Sequence, residues 1–234
     1  MFTYTYETRY GDYKNYDIIK PGSILDFIQD VSIKDSNRCG YDAEKLKEMK
    51  MAWLLQGTNV HFEKTVKPDI PLEISTAIKN LKGATSARGC IIKQNGEVVA
   101  KTIANWFIFN VERQRIGKIT PEMHDAYEFY DFEDNFFNYQ KLELCEIDKA
   151  EYTVRIGNKD IDTNMHLNNQ KGAELLMDAL PFEFYFNNMN VLYKKSAYLG
   201  DELEVCVKEI ENGYYVHMQT KVGEVCVAGK FENI

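Results

Sequence analysis

No stretch of this chain holds an apolar run approaching a membrane-spanning helix, which excludes a helical membrane protein. A signal peptide's basic and apolar regions are missing too. Met1-Phe2-Thr3-Tyr4-Thr5-Tyr6 alternates like a strand instead, so retention in the cytoplasm is expected. Cys39, Cys90, Cys145, Cys206 and Cys226 are odd in number and widely spaced. No pair has zinc or redox spacing, and reduced, mostly buried thiols follow. His61, His124, His166 and His217 are equally scattered, leaving no local metal-binding signature; neither metal nor cofactor is expected. Positive charge is in deficit, with 28 Lys and Arg against 36 Asp and Glu and a net charge of −8. That balance argues against a general nucleic-acid binder but leaves room for a local basic patch.

What is present excludes disorder: 44% of the residues are hydrophobic and 13% aromatic. A length of 234 residues suits two domains of ordinary size. The chain also repeats itself. Ile24, Phe27, Ile28 and Val31 form a helical stripe, and Ala173, Leu176, Met177 and Leu180 form a second. Ser23 is the expected cap of the first helix and Asn168 or Asn169 that of the second. Each stripe precedes a run of alternating strands. In the first half these include Leu72 to Ile78, then Ala87 to Lys93 joined to Val98 to Asn110 through Asn95-Gly96. In the second they are Leu203 to Val207, a turn at Asn212-Gly213, and Tyr214 to Lys221 returning as Val225 to Phe231. Each half reads as an α+β layer with one helix laid across an antiparallel sheet. The segment 123–144, rich in aromatic and acidic residues, is no Gly/Ser linker and is expected to pack along the domain surfaces.

Chemistry concentrates in Asp162-Thr163-Asn164-Met165-His166-Leu167-Asn168-Asn169. Read as extended backbone, this stretch turns Asp162, Asn164 and His166 to one side, offering a carboxylate, an amide and an imidazole to one centre. Asp and Asn also make turns and caps. Capping the helix, however, needs only Asn168 or Asn169, which leaves the upstream trio for hydrolytic chemistry, with helix amides nearby for an oxyanion. Aligning the two helices sets Tyr13, Asn15 and Asp17 against this trio, so only the second half carries the reactive set.

With these residues in view, the chain resembles the acyl-acyl carrier protein thioesterases along nearly its whole length. The Asp-x-Asn-x-His-x-Asn-Asn run entering the second helix matches that family's signature. Leu25-Asp26-Phe27-Ile28-Gln29-Asp30, the strand start containing Trp53, and Ala104-Asn105-Trp106-Phe107 followed by Arg113 and Arg115 resemble its first domain. The resemblance implies two tandem hot-dog domains, each an antiparallel sheet wrapped around a long helix. It places an acyl-chain domain at 1–122, an interdomain segment at 123–144 and a catalytic domain at 145–234. It implies hydrolysis of the acyl-carrier thioester to free fatty acid, with Asp162, Asn164 and His166 catalytic and an acidic carrier protein as partner.

One departure stands out. Where the family carries a catalytic Glu after Tyr-Lys-Lys, this chain has Ser196 after Tyr193-Lys194-Lys195. A serine is no anionic base, though its hydroxyl can hold a water. An acyl-coenzyme A thioesterase and a non-hydrolytic acyl-binding protein therefore stand as alternatives. Arg113, Arg115, Lys118, Lys194 and Lys195 are candidate carrier-docking residues. Neither a nucleic-acid nor a membrane partner is expected, and both monomer and homodimer are compatible with two hot-dog copies in one chain.

Overall fold

The computed structural model describes residues 1–14, 18–147 and 149–234. It divides into two compact units, one of Met1–Gln56 with His61–Tyr139, the other of Gly57–Val60 with Gln140–Ile234. Aromatic residues of the 123–144 segment through Tyr139 thus group with the first unit, and residues from Gln140 onward with the second.

In chain order the first half forms β1 (Phe2–Tyr6), α1 (Pro21–Arg38), α2 (Ala43–Glu48), β2 (Met51–Phe62), β3 (Leu72–Lys82), β4 (Thr85–Gln94), β5 (Glu97–Asn110), β6 (Arg115–Ile116) and α3 (Pro121–Ala126). The sheet order is β1-β3-β4-β5-β2, with β6 beside β5. Asn95 and Gly96 make the expected β4–β5 hairpin, both with positive φ (50° and 80°), as a tight two-residue turn between twisted strands requires. The α1 stripe is buried as its period predicts: Ile24, Phe27, Ile28 and Val31 pack on Leu72, Ile74, Cys90 and Ile92. Its start differs from expectation. Pro21, with φ already suited to a first turn, opens the helix after Lys20, and Ser23 lies buried inside that turn. The Ser23 hydroxyl instead joins Arg9 in hydrogen-bonding the buried Asp12 carboxylate. Burial pushes that carboxyl up, but these bonds together hold it below the usual carboxylate range. Tyr13, the counterpart of Asp162, belongs to the apolar core, its hydroxyl 2.8 Å from Thr8 Oγ1 and 3.0 Å from the Lys67 carbonyl. The other two counterparts, Asn15 and Asp17, lie outside the described residues.

On the opposite face of this sheet, Ala77, Gly89 and Ile103 stand side by side in β3, β4 and β5. Phe132 and Phe137 stack over them, ring centroids 4.2 Å apart. A Cβ on Gly89 would meet the Phe132 ring at 2.6 Å, so the aromatic segment lies this close only because the strand has no side chain there.

A buried ion pair ties α1 to the inner face of the sheet. Arg88 of β4 donates to Asp35 of α1 at 2.7 Å, with both side chains about 6% exposed. Arg38 reaches the other Asp35 oxygen at 2.9 Å. Nothing in the sequence pattern marked Asp35 or Arg88.

The second unit contains β7 (Tyr152–Arg155), α4 (Asn169–Met177), β8 (Asn188–Tyr193), β9 (Glu202–Ile210), β10 (Gly213–Gln219) and β11 (Val225–Glu232), in sheet order β8-β11-β10-β9-β7. The β9–β10 turn sits one residue earlier than expected, at Glu211-Asn212, because Gly213 already pairs with Ile210. α4 is shorter than the sequence stripe and leaves Leu180 outside it. Pro181 disfavours helical backbone at Leu180 and supplies no N–H to continue the ladder. The chain accordingly closes with i to i+3 bonds, Ala179 to Leu176 and Leu180 to Met177. Ala173 and Leu176 are fully buried, and the helix packs on β11 and β10. All five cysteines are free; Cys90, Cys206 and Cys226 are buried.

Breaking a buried ion pair strands a charge, whereas replacing both partners with apolar groups removes the desolvation cost with the attraction. Asp35→Ala should therefore lower the unfolding free energy by about 3–5 kcal/mol, and Asp35→Leu combined with Arg88→Met should recover most of it. Urea denaturation of the three proteins measures this.

Candidate active site

The Asp162 to Asn169 stretch is not extended. Ile161 and Leu167 face each other as an antiparallel bridge, and the chain between them reverses. Asp162 N–H donates to the His166 carbonyl at 2.8 Å, and Met165 N–H to the Asp162 carbonyl at 3.0 Å. Met165 adopts φ +63°, so the loop is a tight turn followed by one left-handed residue. The Asp162 carboxylate holds it closed: Oδ1 accepts the backbone N–H of Asn164 at 2.8 Å and of His166 at 3.2 Å. The Asn164 side-chain amide lies 3.4 Å from the other oxygen. This corrects the expectation that the trio has no structural task. An Asp preceding two residues with free amides captures them more readily than it aligns as a strand.

The turn is locked to its surroundings on both sides. His166 bridges Tyr198, and Leu167 N–H donates to the Ala197 carbonyl at 2.8 Å. The His166 ring lies against the Tyr198 ring, centroids 4.9 Å apart at 47°. Behind it, Asn168 N–H donates to the Asp160 carbonyl at 2.8 Å, and buried Asp160 accepts from Gly157 N–H. Asn168, one of the two expected caps, takes the Lys171 amide at 3.2 Å and starts α4. Gly200 and Asp201 turn the facing segment, with Asp201 accepting from Tyr198 N–H at 2.9 Å and its carbonyl from Ile156 N–H.

The structure thus gathers Asp162, Asn164 and His166 in one turn, Asn164 exposed and the other two half-buried. Ser196 is exposed, one residue before Ala197 on the segment that pairs with the turn. Asp160, Tyr198 and Asp201 support the site without having been assigned a role from the sequence. Gly200-Asp201 had a cue in its turn composition, and Asp160 and Tyr198 had none. Arg113, Arg115 and Lys118 are all exposed, around the β5–β6 hairpin of the first unit. Lys194 and Lys195 are exposed after β8 in the second unit. Lys195 is engaged by Glu224, whose hydrogen bond raises the lysine's pKa. Among the described residues no three His, Cys, Asp or Glu side chains group as a metal site, and no helix is long and apolar enough to cross a membrane.

These features meet an independent finding. The model of the acyl-ACP thioesterase N-terminal domain matches residues 1–127, and that of the C-terminal domain matches residues 143–232. The chain belongs to the acyl-acyl carrier protein (ACP) thioesterase family, as its motifs implied. It is 22% identical over 181 residues to oleoyl-acyl carrier protein thioesterase 2, chloroplastic, of Arabidopsis thaliana. That match covers 69% of this chain and 49% of the relative, so the chain spans about half the length of the curated relatives it matches. An acyl-ACP thioesterase structure from Bacteroides thetaiotaomicron aligns with a TM-score of 0.88 at 18% identity, over 99% of this chain and 96% of that one. The 12:0-ACP thioesterase from Umbellularia californica aligns at 0.85 with 15% identity, over 99% and 96%. At these identities the likeness shows the fold, and the expected α+β, tandem hot-dog architecture is borne out.

Asparagine can accept the same two amides as aspartate, but alanine cannot. Asp162→Asn should leave the melting temperature close to that of the wild type, while Asp162→Ala should cost about 1–2 kcal/mol. Calorimetry of the two variants separates the turn's need for an acceptor from any need for charge.

Proposed function

We propose that this chain hydrolyses the thioester of acyl-ACP, releasing free fatty acid, with His166 as the proton-transferring residue. Family membership supports the reaction. What supports the assignment to His166 is that the Asp162 oxygen facing the turn is committed to two backbone amides, whereas the imidazole is positioned by Tyr198 rather than consumed in holding the loop. Histidine is also the commonest general acid–base side chain.

In this reading His166 takes a proton from water as the water oxygen bonds to the thioester carbonyl carbon. Collapse of the tetrahedral adduct breaks the C–S bond, and the imidazolium returns the proton to the departing sulfur, leaving acid and thiol. The exposed Asn164 amide is available to orient the water or the developing oxyanion. The first domain holds the acyl chain, the exposed cations Arg113, Arg115, Lys118, Lys194 and Lys195 attract the acidic carrier, and the reaction belongs to the cytoplasm.

Thiol and free-acid release from a panel of acyl-ACPs, with the same acyl groups on coenzyme A for comparison, tests the proposal. Faster hydrolysis from the carrier is expected. His166→Ala should lower turnover by about 10² to 10⁴ while the protein stays folded; unchanged turnover removes His166 from the mechanism. Ser196→Glu, restoring the family's carboxylate beside the turn, should raise turnover by about tenfold, equivalent to about 1.4 kcal/mol at the transition state. If both Ser196→Glu and Ser196→Ala lower it under saturating substrate, the serine is a participant and not a vacancy.

A further inference from the structure

Besides its polar side chains, the turn and the segment paired with it expose three large apolar ones. Met165 is 58% exposed, Tyr198 51% and Leu199 47%. They come from two chain segments that the His166–Tyr198 bridge and the Leu167–Ala197 hydrogen bond hold side by side. Met165 is the unexpected choice. A hairpin loop of this kind puts one residue in the left-handed region, where glycine or asparagine sits at little cost and a long side chain is an outlier. Met165 nevertheless occupies it at φ +63° and places an apolar side chain in solvent, so neither backbone preference nor core packing accounts for it. Such an outlier persists where the surroundings over-determine it, here through Asp162, and points toward function. Tyr198 is similar: its ring flanks His166 on one side and remains half open to solvent.

The geometry points to Met165, Tyr198 and Leu199 as an apolar lip that grips the pantetheine arm of the substrate next to the thioester. This deepens the proposed reaction and rests on it, because a thioester reacting at His166 lies next to the two paired segments that carry these side chains. The arm suits them chemically. It is a chain of methylene groups interrupted by amides, matched by a flexible thioether, an aliphatic side chain and an aromatic ring whose hydroxyl can meet an amide. The same arm occurs in acyl-ACP and in acyl-coenzyme A, so the lip positions the thioester without choosing between carriers. Choice of carrier must come from elsewhere on the surface.

Met165→Gly and Met165→Asn relieve the backbone while removing the apolar contact, so stability and kinetics should move differently. The melting temperature should hold or rise. kcat/KM for acyl-ACP and acyl-coenzyme A should fall about fivefold to tenfold, mainly through KM. Hydrolysis of an ethanethiol ester of the same acyl chain, which lacks the arm, should be unchanged. Leu199→Ala should repeat the pattern more weakly. Titration with coenzyme A alone should show weaker binding to the Met165 variants than to the wild type, whether or not turnover is seen. Normal turnover and normal coenzyme A binding in both Met165 variants would overturn the lip and leave the hydrolase reading standing. Equal losses on arm-bearing and armless substrates, with a lowered melting temperature, would also overturn it by showing a merely structural residue. A wild type without turnover whose coenzyme A binding still depends on Met165 would support the lip while defeating the hydrolase reading.

Discussion

Two backbone amides, those of Asn164 and His166, converge on one oxygen of Asp162, and the arrangement of the second unit's polar surface follows from that contact. Closing the loop forces Met165 into the left-handed region and returns His166 to lie opposite Tyr198. It also brings Leu167 to Ala197 and delivers Asn168 to the point where it can cap α4. The helix then sets Ala173 and Leu176 into the core. A polar contact at the surface is thereby continuous with apolar packing beneath it. His166 is held by a turn, a bridge and a helix cap, each of which also stabilises the fold. Such preorganisation reduces what must be ordered when the substrate arrives.

The first unit invests its polar groups differently. At the entry to its helix, Arg9 and Ser23 both hydrogen-bond the Asp12 carboxylate, and Tyr13 is part of the core. At the far end of the helix, Asp35 and Arg88 form an ion pair away from water. Such pairs seldom add net stability over well-packed apolar residues, but they tolerate no loss of one partner. The outer face is covered by Phe132 and Phe137 stacked on a glycine. Both units thus lay a helix on an antiparallel sheet, and at the position that corresponds to Asp162 the first unit has Tyr13, a residue of its core.

Periodicity made the architecture legible. The stripe of Ile24, Phe27, Ile28 and Val31 and the Asn95-Gly96 hairpin are local patterns with few alternative readings, and the Asp-x-Asn-x-His run was specific enough to indicate the family. The same run misled at the level of geometry. Asp, Asn and His at every second position imitate a strand, but short side chains that accept backbone amides also close turns, and the second tendency won. The length of α4 was misjudged because the apolar stripe continued to Leu180, although Pro181 limits the backbone there. Asp35 and Arg88 were not legible, since they lie 53 positions apart and gain their meaning only when helix and sheet pack. The setting of Ser196 was equally hidden, because the pairing of residues 197–198 with the turn is a tertiary contact without a local cue.

Backbone amide hydrogen exchange at Asn164 and His166 tests the central claim most directly, because both amides bond to one carboxylate on a solvent-accessible turn. The account predicts slowed exchange at both positions in the wild type and in Asp162→Asn, and release of both together in Asp162→Ala while the amides of β10 and β11 remain protected. Exchange at unprotected rates in the wild type, or protection that persists in Asp162→Ala, would contradict it.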